Sequence, residues 1–135
     1  MSDSRFSYFE IVVLTLLLGF LIFCSAPGYI RAGEDEKICN LIDALEQMRA
    51  QLALYQVQHN GKLPPCDSYQ RFKKALTTED GKYGPYVNQI PLNPFNGLEK
   101  IRFDGKAAGT GQAGWRLNTS TGILKADNKP NYAEL

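Results

Sequence analysis

A chain of 135 residues has room for one modest domain and an added anchoring segment, and not for two domains. Its 15 Lys and Arg against 14 Asp and Glu leave a formal net charge of +1, so no basic surplus draws it to phosphate backbones, and nucleic acid is not an expected partner. The mean hydropathy of −0.28 hides an uneven chain: most aliphatic residues precede Pro27, while 9 of the 12 glycines lie at or after Gly61.

The stretch from Phe6 to Ala26, FSYFEIVVLTLLLGFLIFCSA, is about long enough to cross a bilayer as a helix, so residues 6–27 are predicted to form a transmembrane helix. A cleaved secretory signal is the weaker alternative, because only Arg5 and the α-amino group stand against Asp3 before the apolar run; cleavage after Ala26 or Ala32 stays open. A lipoprotein signal before Cys24 fails on the bulky Phe23. A plain single-span anchor accounts for everything except Glu10, the one formally charged residue in the run. An ionised carboxylate in hydrocarbon costs several kcal/mol and usually marks a pairing or a functional site. Glu10 has two readings: it reaches the headgroups, or a second subunit supplies its counter-charge.

The residues Phe6-Ser7-Tyr8-Phe9-Glu10 resemble the start of a mature type IV pilin or type II secretion pseudopilin, which opens on an aromatic residue and carries Glu at the fifth position. Gly19, Pro27 and Tyr29 fall where that family has a glycine, a helix-breaking proline and a tyrosine. The resemblance implies a short leader, Met1 to Arg5, cleaved between Arg5 and Phe6, with N-methylation of the Phe6 amine so freed. It also implies that Glu10 pairs with the N-terminal amine of a neighbouring subunit during assembly, which would offset the burial of a lone charge. Gly19 and Pro27 are implied to weaken the helix between them, glycine through backbone entropy and proline through a lost hydrogen bond. One departure stands out: the family's peptidase cuts after glycine, and here that position is Arg5.

After Pro27, residues 28–60 are predicted to form an amphipathic stalk helix. Ile38, Leu41, Ile42, Leu45, Met48, Leu52 and Tyr55 recur at three- and four-residue steps. Glu34-Asp35-Glu36 near its start would favour the helix dipole, and Asn60-Gly61 with Pro64-Pro65 is a stop signal. Cys39 and Cys66 would lie roughly 30 Å apart at about 1.5 Å per residue of intervening helix; separate thiols are expected rather than a bridge. Residues 61–135 should form a small globular region. Ser68 to Leu76 suits a short helix capped by Asp67 or Ser68, and the proline-studded run Ile90 to Gly97 is a loop. Lys100 to Asp104, Trp115 to Leu117 and Ile123 to Lys125 read as strands, the last two joined through Asn118 to Gly122 as a hairpin.

Tyr86, Pro91, Asn93, Pro94 and Gly97 carry a second resemblance, to the major pseudopilins of type II secretion. It implies an α+β fold: a long N-terminal helix, half transmembrane and half amphipathic, packed on a small C-terminal antiparallel β-sheet with a short helical loop. Many of those proteins bind calcium through acidic residues in the C-terminal loop. Here residues 109–131 hold only Asp127 as a carboxylate, so no metal and no cofactor is expected. His59, Cys66 and Asp67 lack the spacing of a thiol catalytic set, the glycines at 109, 111 and 114 lack a nucleotide-binding context, and no enzymatic activity is expected. The resemblance implies a homo-oligomeric filament of a secretion system or pilus, an inner-membrane assembly platform and prepilin peptidase as partners, and a single-pass place in the cytoplasmic membrane with the C-terminal domain outside. The alternative is a single-span accessory subunit of another membrane complex with a soluble binding domain.

Overall fold

The computed structural model describes the backbone of residues 8–135, and the side chains of residues 8, 11–13, 15, 16 and 33–135. Helix α1 covers Tyr8–Gln58 and α2 Tyr69–Thr77; three short strands follow, β1 (Ile101–Phe103), β2 (Trp115–Leu117) and β3 (Leu124–Ala126), then a 3₁₀ turn at Pro130–Tyr132. The chain divides into two units, Met1–Glu36 and Lys37–Leu135.

In the first unit the described residues are helical throughout, including the backbone at Gly19 and Pro27. Because the helix does not begin near Glu34, the acidic run lies within α1, away from the N-terminal turn where a dipole favours carboxylates. Among the described residues no helix is long and apolar enough to cross a membrane. The expected span at 6–27 falls largely outside them, through Phe6, Ser7 and the undescribed side chains.

The second unit is an α+β domain. Leu41, Ala44, Leu45, Met48, Leu52 and Tyr55 form the buried stripe of α1, at spacings that fall on one helical face. Ile42, expected in that stripe, is 36% exposed, because its position turns about a quarter of the way round from Leu41's neighbours at Leu45 and Met48. The helix ends where Asn60 (φ 53°) and Gly61 (φ 79°) enter the left-handed region, and Gly61 N–H donates to the Gln56 carbonyl at 2.7 Å. Helix α2 starts on Ser68, whose hydroxyl accepts from Arg71 N–H, and buries Phe72 and Leu76. The stripe, α2, Val87, Ile90 and the sheet residues Ile101, Trp115, Leu117, Leu124 and Ala126 share one core. Burial of each large side chain there stabilises by about 1.5–3 kcal/mol relative to exposure.

The sheet corrects the expectation of an all-antiparallel arrangement. Its order is β1-β2-β3: β1 and β2 run parallel with Ile101 beside Trp115, whereas β2 and β3 are antiparallel with Trp115 beside Ala126. The turn at Asn118–Gly122 closes the hairpin through Gly122 N–H on the Asn118 carbonyl at 2.8 Å. Parallel neighbours require the chain to return before pairing, and residues 104–114 make that return without a helix. Alternation in Ile101 and Phe103 marks a strand and is silent on its direction.

Candidate functional site

Two regions bear on function: the apolar start of α1 and the loop that joins β1 to β2. Arg5 and Phe6 lie outside the described residues, as does the side chain of Glu10 within α1. The described side chains around Glu10 are apolar and open: Tyr8 is 91% exposed, Ile11 50%, Val12 52%, Val13 38% and Leu16 68%. Thr15 turns its hydroxyl back to the carbonyls of Ile11 and Val12, both at 2.9 Å, which satisfies its polar atom within the helix. The apolar side chains of Tyr8, Ile11, Val12, Val13 and Leu16 are thus left uncovered among the described residues.

In the second unit, Arg102 organises the β1–β2 loop. Its Nη1 donates to the carbonyls of Asp104 (2.8 Å) and Lys106 (2.7 Å). Its Nη2 donates to the Ala107 carbonyl at 3.0 Å and Asp127 Oδ1 at 2.9 Å, and its Nε to Asp127 Oδ2 at 3.2 Å. Each of the five guanidinium N–H groups thus has an acceptor. Asp127 is fully buried and also accepts from Gly109 N–H, Thr110 N–H and the Thr110 hydroxyl. Burial alone would push its carboxyl up, but Arg102 and the Thr110 donors outweigh that and hold it below the usual carboxylate range. The lone carboxylate of the C-terminal loop is thus committed to an internal cation, and three loop carbonyls wrap that same cation. Among the described residues no group of three His, Cys, Asp or Glu side chains is placed to hold a metal.

The proline-studded loop is tied into this arrangement by Asn93, which is fully buried. Its Nδ2 donates to the Gly114 carbonyl at 2.9 Å and to Asn128 Oδ1 at 3.0 Å, while its Oδ1 accepts from Phe95 N–H at 3.0 Å. Gly97, at φ 67°, closes the turn by donating to the Asn93 carbonyl. Trp115 Nε1 donates to the Pro91 carbonyl at 2.9 Å, and the Tyr86 hydroxyl to Gln58 Oε1 at 2.7 Å. The motif residues therefore anchor one loop to α1 and β2. Cys39 and Cys66 are both free thiols. His59, the last residue before the chain turns, stacks on Tyr55 with ring centroids 4.0 Å apart and meets the Tyr86 hydroxyl. Cys66 Sγ donates to the Pro64 carbonyl, and its thiol is pushed up by burial and then by Asp104 and Asp67.

Sequence reasoning passed over Arg102, and weighed Gly109 and Gly114 only as a glycine pattern without a nucleotide-binding context. A Cβ on Gly114 would meet the Leu98 carbonyl at 1.9 Å, and one on Gly109 would meet Pro130 at 2.6 Å. No local pattern signals such close approaches, because the backbone that would clash comes from elsewhere in the chain.

No family model matches the chain, and no solved structure matches it significantly. It is similar to a protein described as a ComG operon protein 3 homolog, from Bacillus licheniformis, at 25% identity over 85 residues; the match covers 61% of this chain and 88% of that protein.

Proposed function

We propose that this chain is a structural, non-enzymatic pilin-like subunit that assembles by packing of its N-terminal helix into a pseudopilus or pilus of a secretion system. The observation that carries the reading is the open apolar surface of α1 around Glu10, with Tyr8, Ile11, Val12 and Leu16 exposed. Such a surface needs a lipid or helical partner, and a carboxylate set within it needs a counter-charge. The likeness to a ComG operon protein 3 homolog supports the same direction. In this reading the chain waits in the cytoplasmic membrane as a single-pass protein with its C-terminal domain outside. An assembly platform and a prepilin peptidase act on it, and Glu10 meets the amine of Phe6 on a neighbouring copy. Gly19 and Pro27 then soften the helix during assembly.

Arg5 before Phe6 favours a second reading, in which the leader is retained and the chain serves as a single-span accessory subunit of another membrane complex. A Glu10→Gln variant separates the two. The filament reading predicts loss of most filaments, about tenfold or more by electron microscopy of the native host, with the amount of chain in the membrane fraction unchanged. Filaments at wild-type number would remove Glu10 from assembly. N-terminal sequencing adds the processing result: a mature start at a methylated Phe6 supports the filament subunit, and an intact Met1 supports the accessory one.

A further inference from the structure

The sheet carries a row of cations across its strands. Arg102 stands beside Arg116 in the parallel register, and Arg116 beside Lys125 in the antiparallel one. Like charges directly opposite one another destabilise a sheet unless an anion relieves them. Asp127 relieves Arg102. Arg116 places its Nε on the Lys106 carbonyl at 2.9 Å and forms no ion pair among the described residues; the nearby anion is Asp104, whose carboxyl is already engaged by Thr119 and held below the usual range by it first and by Arg116 last. Among the described residues Lys125 pairs only with Glu134, at 3.7 Å, and that carboxylate is 84% exposed. A groove of about 460 Å³ lies here, lined by Arg116, Asn118, Thr121, Ile123, Lys125 and the exposed Glu134 among others, and Ile123 is 50% exposed.

We propose that this groove receives helix α1 of a second copy of the chain, with Asp43 and Glu46 of that copy meeting Arg116 and Lys125. Asp43 and Glu46 are one turn apart on the same face of α1, are exposed, and form no ion pair among the described residues. The face continues through Ala50, Ala53, Leu54 and Val57, all exposed, Leu54 at 44% and Val57 at 81%. An acidic turn followed by an apolar strip thus matches a basic groove with an apolar rim. A carboxylate facing the free end of Arg116 gains a charge-assisted, two-pronged contact. The groove and the helix face are different surfaces, so the contact is head-to-tail, and repeated without closure it builds a filament rather than a dimer. The inference rests on the subunit reading above and names the contact that reading lacks.

The test uses the full chain in its native host. Reversing the groove (Arg116→Glu with Lys125→Glu) or the helix (Asp43→Lys with Glu46→Lys) is expected to lower filament number about tenfold. A chain carrying all four changes should recover most of it. A second measurement avoids dependence on folding of the reversed chains: with wild-type charges, Thr121→Cys should give an oxidised ladder with Cys39, which lies one turn before Asp43 on the same face, and Cys39→Ser should abolish it. Filaments unchanged by either reversal, or no ladder, would overturn the docking and leave the subunit reading standing. A Cys39-dependent ladder from a chain that forms no filaments would uphold the docking and overturn the filament.

Discussion

Asp127 shows how one residue changes meaning between sequence and structure. In the sequence it is the single carboxylate of a glycine-rich stretch, too little for a calcium ion. In the fold it is buried and receives Arg102, two backbone N–H groups and a hydroxyl. Removing one partner of a buried pair leaves the other uncompensated, so Asp127→Ala should cost about 3 kcal/mol, read as a lower midpoint in urea denaturation of the full chain. The pH dependence has a defined sign. Because the folded carboxyl is held below its ordinary value, its stabilisation is complete above the unfolded value, about 3.9 for Asp, and is lost as pH falls through the lower folded value. The unfolding midpoint of wild type should therefore drop below about pH 4, and Asp127→Asn should lose that part of the acid slope. An equal acid slope in the variant would contradict the pairing. Nothing near Arg102 in the sequence announced this role, since its acceptors are loop carbonyls and a carboxylate 25 residues away.

At the scale of elements, whatever depends on local spacing was legible. The helix over Tyr69–Thr77 follows from its apolar side and the Ser68 cap, and the β2–β3 turn from Asn118 to Gly122. The buried stripe of α1 was legible apart from Ile42, which is exposed, and Ile38, which is only half-buried. The direction of β1 was not, because strand alternation has period two whichever way a neighbour runs. What sets that direction is the return loop, held by Arg102 and by close backbone approaches. Gly114 N–H donates to the Lys100 carbonyl at 3.0 Å, while its missing Cβ lets the Leu98 carbonyl pass. Gly114→Ala forces a shift of β2 against that carbonyl and should destabilise by about 3 kcal/mol, within the upper range for overpacking. Loss of more than ten degrees in the melting midpoint of the full chain is the expected reading, at roughly 4–8 degrees per kcal/mol for a domain of this size. A melting point within a degree or two of wild type would show that the approach relaxes freely.

For the molecule as a whole, two facts stand together. A folded α+β domain buries the apolar stripe of α1 from Leu41 to Tyr55, while the start of the same helix shows apolar side chains to the outside. Folding of the domain satisfies the first set; in the proposed subunit reading a partner covers the second. The residues that would decide the matter, Arg5, Phe6 and the Glu10 carboxylate, are plain in the sequence and lie outside the described structure. The most direct measurement is the assembly state of the native chain released from its host by shearing and fixed with a short cross-linker. The account predicts a regular ladder of multiples of this chain extending to polymers, recovered with filaments. A single species of monomer mass, left behind in the membrane, would contradict it.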